Sequence, residues 1–413
     1  MTASGVEVLL IGGGVASASA AAELRVCGFA GTVMLATRDL DAPYHRPPVS
    51  KGLLTGRDAD DSILVHDSSW WNQHDVELLT RASVTALDVT ARTATLASKT
   101  EIGFERALIA TGAMVRRLAV DGAQLEGIHY LRAPGNARAL RQELTAAERV
   151  VVVGGSFIAT EVAASLATIG KRCRVLMQEQ RPLERVFGGF VGEYVGALLR
   201  EHDVELHAGE DVVAFEGDER VTAVRTASGL RLETDLVIVG VGATPDTMLA
   251  RRAGLELGET GGVRCDRFLR TSADGVYAAG DMCEYDSVVH QRRLRVEHEE
   301  HAVAQGQTAA RNLLGEQLAH EVVPYFWSEI ADWAKLESLG PAHEWDAELV
   351  TGSVEDHAFT VWYLRDERIV GSLSVNQPDA LAHARPLIAG HAESARLSEW
   401  QPYQPPSVTD RLG

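Results

Sequence analysis

The stretch Val6-Glu7-Val8-Leu9-Leu10-Ile11-Gly12-Gly13-Gly14-Val15-Ala16-Ser17 decides the fold. Its first six residues form a short apolar run, the pattern of a strand buried on both faces. Three glycines break that run. Ala16 to Arg25 is rich in helix formers, and Val33-Met34-Leu35-Ala36 is a second apolar strand. Strand, glycine turn, helix and strand make a βαβ unit. In Gly12-x-Gly14-x-x-Ser17 the first glycine makes the turn. The second lets backbone approach a pyrophosphate, and the third position, here a small serine, lets helix and strand pack closely. The helix N-terminus then faces phosphate charge. This predicts a dinucleotide site. The acid expected after the second strand, which holds ribose hydroxyls, is displaced: Thr37, Arg38 and Asp39 follow Ala36. Asp39 fills that role with a one-residue shift, or is a solvated loop carboxylate.

About 140 residues on, the pattern recurs. Arg149 to Val153 is apolar, Gly154-Gly155 turns, Phe157 to Ile169 reads as a helix, and Cys173 to Met177 as the next strand. Asp235 to Val241 and Gly275 to Ala279 are further buried strands, the first closed by Gly242 and the second by Gly280-Asp281. From about Glu321 the texture changes to alternation, as in Phe359-Thr360-Val361-Trp362-Tyr363-Leu364, which predicts an antiparallel sheet. The residues around Pro402, Pro405 and Pro406 read as a loose tail. The expected fold class is α/β: two Rossmann-like nucleotide-binding domains plus a C-terminal α+β domain.

Composition agrees with this reading and excludes others. A chain of 413 residues holds two to four domains at roughly 150 residues each. Its 39 basic and 58 acidic residues leave a net charge of −19, which argues against a nucleic-acid binder. No apolar run approaches the roughly 18 residues of a membrane span. The apolar N-terminus lacks the preceding basic residues of a secretory signal, so it reads as a strand. Cys27, Cys173, Cys265 and Cys283 form no CxxC and no zinc-like spacing. No disulfide framework and no metal are expected, which fits a cytoplasmic protein.

Seven further segments carry a more specific signal. Pro43-Tyr44-His45-Arg46-Pro47-Pro48-Val49-Ser50-Lys51, Leu108-Ile109-Ala110-Thr111-Gly112, Tyr130-Leu131-Arg132, Arg181-Pro182-Leu183-Glu184-Arg185-Val186, Tyr277-Ala278-Ala279-Gly280-Asp281, Arg295-Val296-Glu297-His298 and Pro324-Tyr325-Phe326-Trp327-Ser328 stand in this order. Together they resemble the FAD-dependent ferredoxin reductases that feed bacterial oxygenases, relatives of apoptosis-inducing factor. The resemblance covers residues 6 to about 375 and implies a glutathione-reductase-like arrangement, with 1–113 and 244–318 as the FAD-binding domain, 114–243 as the NAD-binding domain and 319–413 as the C-terminal domain.

The resemblance implies a flavoprotein passing electrons from NADH through FAD to an iron–sulfur ferredoxin. It places FAD along Gly12, Gly14, Val15 and Ala16, with Asp39, Arg46, Lys51, Val84, Ala110, Thr111, Arg132, Gly280 and Asp281 as further contacts. Glu297, His298, Glu299 and Trp327 are placed near the flavin ring. Asp281 matches the acid that holds the ribityl chain; as a residue ahead of a helix-like stretch it could also be an N-cap. Trp327 could equally be core packing. The nicotinamide nucleotide is placed on Gly154, Ser156, Phe157, Ile158, Glu161, Glu179 and Gly242. Lys51 and Glu161 are assigned the catalytic roles, as a pair at the nicotinamide side. A glutamate in the first turn of a helix is also favoured by the helix dipole alone.

The match departs from the family pattern at several points. Ser156 replaces the second glycine of the second turn, adding a side chain where backbone should approach phosphate. Met177 stands where the ribose acid is expected, with Gln178 and Glu179 as substitutes. No arginine cluster immediately follows that strand, although Arg181 and Arg185 come soon after, so NADH is expected over NADPH. Glu299 stands where the family has a tryptophan. The alternative reading is an apoptosis-inducing-factor-like or NADH-oxidase-like flavoprotein with slow turnover or another acceptor. Paired thiols for a disulfide relay are absent from the sequence. Against the acidic whole, Arg292, Arg293 and Arg295 are the densest basic cluster and the expected docking patch for a ferredoxin.

Overall fold

The computed structural model describes residues 5–340, 344–377, 379–394 and 397. The chain divides into two compact units. One comprises the segments up to Arg46, Asp61–Met114 and Thr244–Phe326; the other comprises Pro47–Asp60, Val115–Ala243 and the chain from Trp327 onward. The Pro-rich tail lies outside the described residues.

The first unit is built on a parallel sheet in the order Val76–Leu79, Val33–Ala36, Val6–Ile11, Glu101–Ile109 and Val276–Ala278. Val6–Ile11 lies at its centre, with Leu10 opposite both Leu35 and Leu108. Burial on both faces is why these strands are runs of Val, Leu and Ile without alternation. The N-terminal half of Glu101–Ile109 also joins an antiparallel meander with Thr93–Leu96 and Val84–Asp88. Helices Val15–Val26 and Glu299–Leu313 pack together. At Gly306 a Cβ would lie 2.2 Å from the carbonyl oxygen of Ala16, so only glycine allows that approach.

The second unit repeats the plan. Its parallel sheet runs Glu205–Ala208, Arg172–Met177, Arg149–Val153, Leu236–Val239 and Ile128–His129. An antiparallel meander again accompanies it, formed by Val212–Glu216, Ala223–Thr226 and Arg231–Glu233. The C-terminal strands Ala334–Leu339, Arg368–Val375, Ala358–Arg365 and Ala347–Ser353 pair antiparallel in that order. Helix Ala380–Ala389 packs against two of them. Tyr363 from this sheet donates its hydroxyl to the carbonyl of Phe187 at 2.9 Å.

One expectation is corrected. The residues after Asp281 are a strand, Cys283–Ser287, between Val263–Cys265 and Arg292–Arg295. Its Glu284 is buried, yet its carboxylate accepts from the backbone N–H groups of Glu259 at 2.9 Å and Thr260 at 3.0 Å. Those tertiary bonds make a buried acid tolerable in the strand.

Candidate active site: two glycine turns and a buried ion pair

The two glycine turns are built alike. Gly12 has φ +120°, and a Cβ there would meet the carbonyl oxygen of Ala110 at 2.2 Å. Gly154 has φ +123°, and a Cβ there would meet the carbonyl oxygen of Gly240 at the same distance. In each turn the glycine N–H donates to the neighbouring strand: Gly12 to Ala36 at 2.9 Å and Gly154 to Leu176 at 2.7 Å. Both positions demand glycine twice over, for backbone conformation and for space.

In the first unit, Gly14 caps the helix that carries Val15 and Ala16, and open space surrounds the site of its missing Cβ. Ser17 is buried, and its Oγ has no hydrogen-bond partner among the described residues. Thr37 is packed against Gly13 and accepts from the N–H of Asp39 at 3.1 Å. A threonine therefore occupies the strand end, and Asp39 is tethered two residues beyond it. Arg38 pairs with Asp246 at 2.8 Å. Val84 lies in the antiparallel meander, opposite Leu96.

Ala110 sits under Gly12 and donates its N–H to Ile11 at 2.8 Å. Thr111 turns its hydroxyl to the carbonyl of Asp246 at 2.6 Å, so that group serves the protein. The turn before Asp281 is held by Gln305, which sequence reading missed: its Oε1 accepts from Gly280 N–H at 2.7 Å, and its buried Nε2 has no partner among the described residues. No helix follows Asp281, so it is not an N-cap. His298 caps Glu299–Leu313 instead, with its ring 4.7 Å from that of Phe326. Glu297 is exposed and pairs with Arg295. Glu299 bridges the motif segment: Oε1 accepts from His45 Nδ1 at 2.8 Å and Oε2 from Arg46 N–H at 2.9 Å. The hydrogen bond to Glu299 raises the His45 pKa above its ordinary value. His301 is fully buried against Tyr285 and His320, and burial holds it well below the usual histidine range.

In the second unit, Ser156 is the N-cap of Phe157–Thr168. Its Oγ donates to Gly240 O at 2.6 Å and accepts from Ala159 N–H at 3.5 Å. The side chain expected to intrude on the phosphate position is thus engaged within the turn. Phe157 stacks edge-on against Phe187 at 5.5 Å, whereas Ile158 is exposed. Met177 is buried. Gln178 turns away to Asp211 at 2.7 Å, and Glu179 faces the turn: a Cβ on Gly155 would lie 3.1 Å from its Oε2. Arg185 pairs with that carboxylate at 2.7 Å. Gly242 has φ +99° and accepts from Arg116 N–H at 3.0 Å. Arg132 stands just before helix Pro134–Leu144, its N–H directed to Asn136 Oδ1 at 3.3 Å.

The same unit contains the pair assigned by resemblance. Lys51 Nζ meets Glu161 Oε1 at 2.7 Å, with side-chain exposures of only 10% and 6%. Two serines that lie within the quoted motifs, without a role assigned to them there, complete the cluster: Ser328 Oγ donates to Oε1 at 2.6 Å and Ser50 Oγ to Oε2 at 2.5 Å. Lys51 Nζ also lies 5.4 Å from the centre of the Trp327 ring, which is half-buried and so not simple core. A signal for both serines was present in the sequence, since each adjoins a motif residue.

These surroundings suit two dinucleotides. Each unit offers a tight glycine turn leading into a helix N-terminus, and the first unit adds open space beside Gly14 and an orphaned buried hydroxyl at Ser17. The expected basic patch is largely neutralised by its own hairpin. Arg293 pairs with Asp286 at 2.8 Å, and Arg295 with Glu297 at 2.5 Å, Arg295 also donating to Asp281 O at 3.0 Å. Among the described residues, no helix is long and apolar enough to cross a membrane, and no cluster of three His, Cys, Asp or Glu is arranged for a metal.

Comparison with known proteins accords with this geometry. Residues 6–306 match the pyridine nucleotide-disulphide oxidoreductase model, and residues 325–400 match a reductase C-terminal domain. The chain is 34% identical over 385 residues to the 5,5'-dehydrodivanillate O-demethylase ferredoxin reductase subunit of Sphingobium sp., covering 92% of this chain and 93% of that one. It is 32% identical over 384 residues to rhodocoxin reductase of Rhodococcus erythropolis, covering 93% and 89%. A crystal structure of a covalent putidaredoxin reductase–putidaredoxin complex superposes with a TM-score of 0.89 at 30% identity, covering 94% of each chain. The chain belongs to the pyridine nucleotide-disulphide oxidoreductases, FAD- and NAD(P)H-using enzymes, and within them to the ferredoxin reductase components of oxygenase systems.

Proposed function

We propose that this protein is an NADH-dependent reductase that delivers electrons through FAD to an iron–sulfur ferredoxin serving an oxygenase. The observation that carries the proposal is the pair of matching glycine turns at Gly12 and Gly154, one in each unit. Two dinucleotides are what two such turns suit. FAD, when bound, converts the electron pair of a hydride into single electrons for a one-electron carrier.

The segments 1–113 and 244–318 are assigned to FAD, with Gly12, Gly14, Val15 and Ala16 along its phosphates, Asp281 at its hydroxyl chain and Arg46 near its ring. Residues 114–243 are assigned to the nicotinamide nucleotide. There the helix N-terminus at Ser156 faces the pyrophosphate, and Glu179 offers acceptors for a ribose diol, which favours NADH over NADPH. Lys51, paired with Glu161, presents a fixed positive charge at the nicotinamide side. Engagement of Ser156 with Gly240 takes its side chain up within the turn, which supports this reading over a slow-turnover flavoprotein. The four cysteines are all unpaired, in keeping with a cytoplasmic site of action.

The test is direct. The purified protein is expected to be yellow, to lose its visible band rapidly on anaerobic mixing with NADH, and to reduce cytochrome c only when a ferredoxin is added. A colourless protein that cannot be reconstituted with FAD would remove this reading. Fast cytochrome reduction without ferredoxin would point to a different acceptor.

A further inference from the structure

The Lys51–Glu161 pair is held by more than its own charges. Glu161 comes from helix Phe157–Thr168, Lys51 and Ser50 from the segment 47–60, and Ser328 from strand Tyr325–Ile330. Three separate pieces of the second unit therefore converge on one buried carboxylate. Its Oε1 accepts from both Lys51 Nζ at 2.7 Å and Ser328 Oγ at 2.6 Å, and its Oε2 from Ser50 Oγ at 2.5 Å. Ser50 and Ser328 are themselves buried. Ser50 is fixed in turn, because its carbonyl accepts from Ser165 Oγ at 2.8 Å.

A carboxylate held by one ammonium alone could rotate about its terminal torsion, which is broad. Hydroxyl donors on both oxygens remove that freedom. They also offset the cost of burying the ion pair, which is favourable only when the remaining acceptors are satisfied. Lys51 has few other anchors. The contacts recorded for its ammonium are the pair, a long 3.4 Å approach to Pro47 O and the face of Trp327. Its position thus depends on where Glu161 is held.

We propose that Ser50 and Ser328 are positioning residues for the hydride-transfer step, acting through Glu161 to hold Lys51 in place. The proposal rests on the reductase function given above. Neither serine is assigned to bind either nucleotide, so their loss should slow the step without weakening NADH binding.

The experiment is anaerobic stopped-flow reduction of the FAD-loaded protein by NADH, with the limiting rate and the NADH dissociation constant measured separately. Ser328→Ala and Ser50→Ala are each expected to lower the limiting rate about tenfold, as small misplacements of reacting groups do, with the dissociation constant changed less than twofold. In a Glu161→Gln background the same serine changes should cost less than twofold further, because the carboxylate through which they act is gone. Urea unfolding of the FAD-loaded protein supplies a reading independent of turnover, and the same non-additivity is expected there. Limiting rates within twofold of wild type in both serine variants would overturn the proposal. So would full additivity with Glu161→Gln, or an equal effect on rate and binding. Should one variant fail to fold, the other carries the test. Failure of the wild-type protein to be reduced by NADH would instead refute the reductase function itself.

Discussion

Glu299 joins two distant segments of the first unit, accepting from His45 Nδ1 at 2.8 Å with one oxygen and from Arg46 N–H at 2.9 Å with the other. In the family pattern a tryptophan stands at position 299. Here a carboxylate takes its place and clasps His45 and Arg46 to the start of helix Glu299–Leu313.

That clasp carries a pH signature. Because the hydrogen bond to Glu299 raises the His45 pKa, the folded protein binds the proton more tightly than the unfolded chain. Its stabilisation is full below the ordinary histidine pKa of about 6.5 and is lost as pH rises through the higher folded value. The His45 side chain is 43% exposed, so solvent screening limits the effect to about 0.5 kcal/mol. Glu299→Gln should therefore destabilise the protein by about that amount more at pH 5.5 than at pH 8.5. Urea midpoints at the two pH values check this.

The buried histidines of the same unit act in the opposite direction. Burial lowers the His320 pKa to about 4. Between the unfolded value of about 6.5 and that level, the unfolded chain takes up protons that the folded protein refuses. Stability should fall as pH drops through this window, by about 3 kcal/mol at its lower end. His320→Gln should flatten the decline, and thermal unfolding between pH 7 and pH 4.5 would expose a slope that does not change.

Removing one member of the buried ion pair should be worse than removing both charges. Lys51→Met leaves Glu161 buried with only its serine donors and should cost about 3 kcal/mol. Adding Glu161→Gln should restore at least about 1 kcal/mol of that loss. Equal stability of the single and double variants, measured by denaturant unfolding, would mean that the carboxylate reaches solvent when unpaired.

At the second glycine turn, restoring the family residue should bring no gain. Ser156→Gly removes an N-cap that also donates to Gly240, so stability should fall by roughly 0.5–1 kcal/mol while NADH affinity stays within about twofold. Met177→Glu, which restores the expected acid, should place a carboxylate in a buried position and destabilise by about 2 kcal/mol or more, with no gain in NADH affinity. Glu179→Ala should weaken NADH about tenfold. Calorimetric titration with each variant separates these outcomes.

The sequence by itself determined the central strands of both parallel sheets and the glycine turns that follow them. Val6–Ile11 and Arg149–Val153 are unbroken apolar runs because their strands are covered on both faces, and Gly12 and Gly154 are glycines because a Cβ would strike a carbonyl. Such constraints are local, so periodicity and turn chemistry report them. The strand Cys283–Ser287 was not legible, because the hydrogen bonds that make Glu284 acceptable there come from Glu259 and Thr260. Nor was the fate of individual polar groups. Whether Ser156 would face phosphate or Gly240, whether Arg293 would be free for a partner or paired with Asp286, and which hydroxyls would hold Glu161 depend on groups 84, 7, 111 and 167 residues away in the chain. Hydrogen-bond partners are chosen by distance in space, and only the tertiary structure decides which donors and acceptors come within reach.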